Sequence, residues 1–141
     1  MSETPTPKVE TNRFAIAHEL AAILSDLETE PLRKHFDEEV IMDFPFATAP
    51  MPRRLTGVDE VVLGMKAMPA MFSKFKYEPS RLYEAPGSNV LIMEAESRGT
   101  LLDGSDYSNR YVTILRFNGP RVILWREYYD PLRLPDMSVG G

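Results

Sequence analysis

Glu127 stands between Trp125 and Tyr129 in the stretch RFNGPRVILWREYYDP, residues 116–131. Side chains two apart on a β-strand share a face, so a strand here aligns one carboxyl with two large aromatic rings. Turned inward, that face would desolvate the acid and raise its pKa toward the range used for general acid–base chemistry. Turned outward, it is an edge strand with its Glu in water. A second charged pattern is Glu94-Ala-Glu96-Ser-Arg98-Gly99. Glu94, Glu96 and Arg98 share one strand face and alternate with Met93, Ala95 and Ser97, and periodicity alone leaves open which face is core. Two carboxyls brought close titrate as a pair, one protonated near neutral pH while the other is ionised. Such a pair serves isomerisation, cyclisation, dehydration or water activation with neither metal nor organic cofactor.

Strands and helices must position these groups. Residues 1–11, with Pro5 and Pro7 among Thr, Ser and Glu, read as a flexible leader. Phe14, Ala17, Leu20, Ala21, Leu24 and Leu27 recur at helical spacing. Pro31 then suits the first turn of a second helix over 30–36. Residues 40–46 read as a strand ended by Pro45, followed by a loop over 47–55 that holds Met51, Arg53 and Arg54. Thr56 and Asp59 have the form of a capping box. The third helix it opens carries Val58, Val61, Val62, Met65 and Met68, is ended by Pro69, and is followed by a further turn over 70–75. Met65, Met68, Met71, Phe72 and Phe75 form an apolar stripe there, a core face or a pocket wall. Strands are expected over 76–85, 89–100, 108–117 and 121–129, separated by turn-forming clusters at 86–88, 103–105 and 118–120. The expected architecture is α+β: a curved antiparallel sheet packed with about three N-terminal helices, enclosing a cone-shaped pocket. One domain spans 12–134, with a short tail at 135–141.

Bulk composition narrows the function. The chain has 141 residues, a net charge of −5 and no basic run, so no electrostatic footprint for nucleic acid or an anionic membrane is expected. The absence of cysteine excludes disulfides, thiolate catalysis and cysteine-ligated metals. His18 and His35 have no partner at ligand spacing, so no metal site is expected. No apolar run reaches the roughly 18 residues of a membrane span, and a cytoplasmic location is the default.

The element order and the ending Trp125-Arg126-Glu127-Tyr128-Tyr129-Asp130 resemble the SnoaL-like branch of the nuclear transport factor 2-like superfamily, whose last strand often reads W-R-[DE]-Y-[FY]-D. Residues 94–99, Asn109 and Arg126-Glu127-Tyr128-Tyr129-Asp130-Pro131 also resemble the PhzA/PhzB group. There the last-strand Glu, matched by Glu127, works as an acid–base on a cyclic acid, and a pocket His falls near Gly64 here. The resemblance to limonene-epoxide hydrolase puts its two relay acids on Glu96 and Glu127, its Arg on Glu94 and its Asn near Asp43. The ketosteroid isomerase Asp falls near Phe44, and the polyketide-cyclase Asp on Thr113. The resemblance implies Glu127, Glu96 and Asp43 as catalytic candidates. It implies Trp125, Tyr129, Glu94, Arg98, Met65, Met68, Phe72 and Tyr111 as the substrate-binding set. The implied function is a cofactor-independent isomerase, cyclase, dehydratase or epoxide hydrolase acting on a hydrophobic, oxygenated small molecule. The alternative is a non-catalytic binding module. A homodimer through the sheet, using Val122, Leu124 and Tyr128, is implied as well.

Overall fold

The computed structural model describes residues 12–134, so the leader expected at 1–11 and the tail at 135–141 lie outside the described residues. Asn12 caps helix α1 (Arg13–Ser25), its side chain accepting from the Ala15 amide. That bond satisfies one of the free N–H groups of the first turn. Ala17, Leu20, Ala21 and Leu24 are buried as their spacing requires, whereas Phe14 is 42% exposed. A 3₁₀ turn (Glu30–Lys34), with Pro31 in its first turn, stands where a second α-helix was expected. Strand β1 (Phe36–Asp43) then begins earlier than the sequence pattern indicates.

A loop and a short strand β2 (Arg54–Thr56) lead to helix α2 (Val58–Gly64). The expected capping box does not form. Gly57 caps α2 with φ +87°, and the Glu60 carboxylate accepts from the Thr56 amide. A 3₁₀ turn, Met65–Ala67, follows α2. Pro69 lacks the amide a helix needs, and the aromatic run after it pairs into strand β3 (Phe72–Ala85) instead of making another helical turn. Strands β4 (Val90–Leu101), β5 (Asp106–Asn118) and β6 (Arg121–Tyr129) complete the meander close to the expected spans.

The six strands run in the order β2-β1-β6-β5-β4-β3. All pairs are antiparallel except β1–β6, which is parallel. The sheet is therefore mixed rather than antiparallel throughout: β1 is joined to β6 through helices and the whole meander, a connection long enough for parallel pairing. Helix α1 packs on β3 and α2 on β1, and the apolar core fills the space between them and the inner sheet face.

Two of the sheet's four register shifts decide which residues of the inner face meet the core near the site. A register shift between Phe72 and Lys74 turns Phe72 and Phe75 both inward, although they are three residues apart. The other lies between Arg116 and Phe117 on β5, where Phe117 faces Val122 and Arg116 faces Leu124. It leaves Ile123 as the extra residue, so Val122 and Trp125 are both buried in the core. Val122 thus moves off the outer face where simple alternation had put it. Near the first bulge, a Cβ on Gly99 would lie 2.7 Å from the Lys74 carbonyl oxygen and 3.1 Å from the Phe72 ring. The close approach of β3 to β4 explains the glycine of the 94–99 motif.

Candidate functional site

Strand register assembles the site. Thr113 on β5 faces Glu127 on β6, and Tyr111 faces Tyr129. Ser97 on β4 faces Asn109 on β5, and Tyr77 on β3 faces Ser97. Ser25, in the last turn of α1, accepts a bond from the Tyr77 amide at 2.8 Å. The helix thereby fixes the strand segment from which the Tyr77 ring reaches across the core.

These elements enclose a cavity of about 340 Å³. Its wall is mostly apolar: Phe44, Pro50, Met51 and Pro52 from the loop region, Met65, Met68 and Met71 after α2, and Phe72 and Phe75 from β3. Its polar groups are Glu127 and the hydroxyls of Tyr107, Tyr111 and Tyr129.

Glu127 is 8% exposed, and its two carboxyl oxygens have different surroundings. Oε1 receives the Trp125 indole N–H at 3.2 Å, the Tyr77 hydroxyl at 3.3 Å and the Thr113 hydroxyl at 3.4 Å. Among the described residues Oε2 has no hydrogen-bond partner, yet it is not sealed from the cavity. One oxygen holds the group in place and the other is presented to the cavity. Burial raises the carboxyl pKa from 4.5 to about 7, against the pull of the Trp125, Tyr77 and Thr113 donors, which favour the charged form. Near neutral pH the group is therefore both a proton donor and a proton acceptor.

The tyrosines are held neutral. Burial, followed by the Glu127 charge, pushes the Tyr77 and Tyr129 hydroxyls up. Burial pushes Tyr111 up as well, and its hydroxyl bonds Ser97 at 2.7 Å. Asn109 is clamped in one orientation. Its Oδ1 accepts from the Asp130 and Arg110 amides, and its Nδ2 donates to the Asp130 carbonyl and, at 2.7 Å, to the Tyr107 hydroxyl. Tyr107 accepts there, so its own proton is left for another acceptor.

Of the other expected site residues, Tyr129, Tyr111, Met65, Met68 and Phe72 line the cavity. Trp125 is buried beneath it and touches Glu127 rather than the open space. Glu96 is a correction. Met93, Ala95 and Ser97 take the inner face, so Glu94, Glu96 and Arg98 point outward, because burying two carboxyls and a guanidinium costs more than burying Met, Ala and Ser. Glu96 faces Arg110 on the outer sheet surface. It borders a depression of about 380 Å³ there with Glu94 and Tyr128. Asp43 is also outside. Its carboxylate pairs with Arg126 at 3.0 Å and Arg54 at 3.7 Å, while Phe44, one residue on, lines the cavity.

The residues that sequence reasoning left out are Tyr77 and Ser97, together with the hydroxyl role of Thr113. Ser97 carried a signal, since it falls on the same strand face as Met93 and Ala95. Tyr77 carried little, because a bulge resets the strand's alternation just before it. Among the described residues no set of three His, Asp or Glu side chains is placed to hold a metal ion, and no helix is long and apolar enough to cross a membrane.

No protein-family model matches the chain. The uncharacterized protein YesE of Bacillus subtilis is 24% identical over 107 residues, 75% of this chain and 72% of its own. An uncharacterized PhzA/B-like protein of Pseudomonas aeruginosa is 23% identical over 107 residues, 75% of this chain and 74% of its own. A crystal structure from Bacillus subtilis, provisionally called an isomerase, superposes with a TM-score of 0.79 at 22% identity, covering 91% of this chain and 93% of that one. A SnoaL-like protein of Jannaschia sp. CCS1, provisionally called a polyketide cyclase, gives a TM-score of 0.72 at 13% identity over 93% of both chains. Together with the curved six-stranded sheet, these likenesses give the chain the α+β cone fold of the nuclear transport factor 2-like proteins, in its SnoaL-like form.

Proposed function

We propose that this protein is a cofactor-independent acid–base enzyme that moves a proton on a hydrophobic, oxygenated small molecule held in the Glu127 cavity. The observation that carries this reading is the asymmetry of Glu127: all three donors converge on Oε1, and Oε2 is left toward the cavity. A carboxyl with a pKa of about 7 takes a proton from one atom and returns it to another without a large energetic penalty in either state. Isomerisation, cyclisation and dehydration each need those two transfers, and tyrosine hydroxyls in the cavity supply donors for a developing oxyanion.

Screening the protein in D2O for deuterium uptake at the α-carbon of cyclic ketones, and in water for opening of cyclic epoxides, would test this by NMR. Glu127→Gln is expected to lower the rate of any accelerated reaction by about 10²- to 10⁴-fold, while Glu96→Gln leaves it unchanged. An equal rate in Glu127→Gln sinks the assignment.

A non-catalytic binding module is the second reading, and one observation favours it: Glu127 is the only carboxyl among the described residues lining the cavity. In both readings a homodimer through the outer sheet face remains a proposal. Val112, 41% exposed, lies on that face, as does Tyr128. Sedimentation of a monomer at micromolar concentration would remove it.

A further inference from the structure

Charge sorts what the cavity can hold. Among the described residues that line it, none is Lys, Arg or His. Of the basic side chains next in sequence to its walls, Arg126 and Arg54 pair with Asp43, Arg53 bonds the Ala47 carbonyl and Arg133 bonds Asp130 and Ser108, while Lys66, Lys74 and Lys76 are exposed and do not line the cavity. Arg98 and Arg110 are exposed on the outer sheet face. Among the described residues the ionisable groups that face Glu127 are tyrosines, Tyr77 on β3, Tyr107 and Tyr111 on β5 and Tyr129 on β6, and each is made harder to ionise by burial and further by the Glu127 charge. An anionic ligand would sit beside a buried carboxylate with no cation among the described lining residues to offset either charge, and a buried charge left unpaired is costly. The wall is otherwise apolar, with tyrosine hydroxyls able to donate to an acceptor on the ligand.

We infer that the cavity takes an uncharged, mainly apolar molecule bearing a carbonyl or ether oxygen, and that it rejects carboxylates and phosphates. This rests on the reading of the Glu127 cavity as the functional site. It separates this chain from any relative that works on a cyclic acid.

Trp125 is the single tryptophan of the chain, and its indole N–H donates to Glu127, so one indole resonance reports on the cavity. Titrating the ¹⁵N-labelled protein with 2-acetylnaphthalene and with 2-naphthoate compares two probes of nearly equal shape, one neutral and one anionic. At pH 8.5 the ketone is expected to shift the indole signal and to bind at least about tenfold more tightly than the naphthoate. At pH 5.5 the naphthoate is still ionised while Glu127 holds its proton, so the repulsion is gone and the gap should narrow, leaving the cost of burying the ligand's own charge. Glu127→Gln should narrow it at pH 8.5 as well. Naphthoate binding as tightly as the ketone at pH 8.5, with the same indole shift, overturns the inference and leaves the cavity assignment standing. An indole signal that neither probe moves, or shifts confined to Val112 and Tyr128 on the outer face, overturns the cavity assignment and the inference with it.

Discussion

Glu127→Gln is expected to be more stable than the natural protein at pH 8 and no more stable at pH 4.5. In the folded chain the carboxyl pKa is raised to about 7 from an ordinary 4.5. Between those values the native state holds a proton that the unfolded chain has released. Stability therefore falls as pH rises through this window and levels off above it. Each unit is worth 1.36 kcal/mol, so the loss from this group is about 3 kcal/mol. Glutamine keeps an acceptor where Trp125, Tyr77 and Thr113 donate and sets its uncharged amide toward the cavity, so the variant has no such loss. Urea denaturation of both proteins from pH 4.5 to 8.5 should give curves that converge at the acid end and separate by about 2–3 kcal/mol at the alkaline end. Parallel curves would mean that Glu127 does not titrate in this window and would remove the basis for its acid–base role. A gain in stability with a loss of turnover is what a strained functional group produces.

The parts of this arrangement that were legible in the sequence are those set by local period. On β6, Trp125 and Glu127 alternate with Arg126 and Tyr128, and both are buried. The turns at 86–88, 103–105 and 118–120 fixed the meander because each cluster closes one hairpin. Three features were not legible, each for a physical reason. The parallel β1–β6 pair joins strands from opposite ends of the chain, and no local pattern encodes a distant partner. The bulge at Phe72 makes residues three apart share a face, which imitates helical spacing and led the Phe72–Phe75 pair to be read as part of a helix. On β4 two periodic sets compete, and resemblance favoured the charged set for the interior. The apolar alternation of Met93 and Ala95 was the stronger signal, because desolvation of Glu94, Glu96 and Arg98 would have had no compensation. Asp43 and Phe44 illustrate the same point at single-residue scale, since a shift of one position exchanges the faces of a strand.

Trp125→Phe is expected to move the Glu127 titration upward from about 7 by one unit or more. The indole is buried against Phe36 and Tyr77, at ring-centroid distances of 6.3 Å and 6.5 Å, and phenylalanine retains most of that packing. What it lacks is the N–H that reaches Oε1 at 3.2 Å. Trp125 is the foremost of the three donors that hold the Glu127 pKa down. A hydrogen bond to a charged group contributes roughly 1.5–3 kcal/mol, which corresponds to about one to two pH units. Tyr77→Phe should act in the same direction with a smaller effect, because its bond is 3.3 Å long and its hydroxyl also contacts Thr113. The carboxyl ¹³C shift of Glu127, followed against pH in each variant, reads the midpoint directly. If Glu127 acts as a base, the rising limb of the pH–rate profile must move by the same amount as the NMR midpoint. An unmoved midpoint in Trp125→Phe would mean that burial alone sets the pKa. The convergence of donors on Oε1 would then be a matter of packing, without influence on the proton at Oε2.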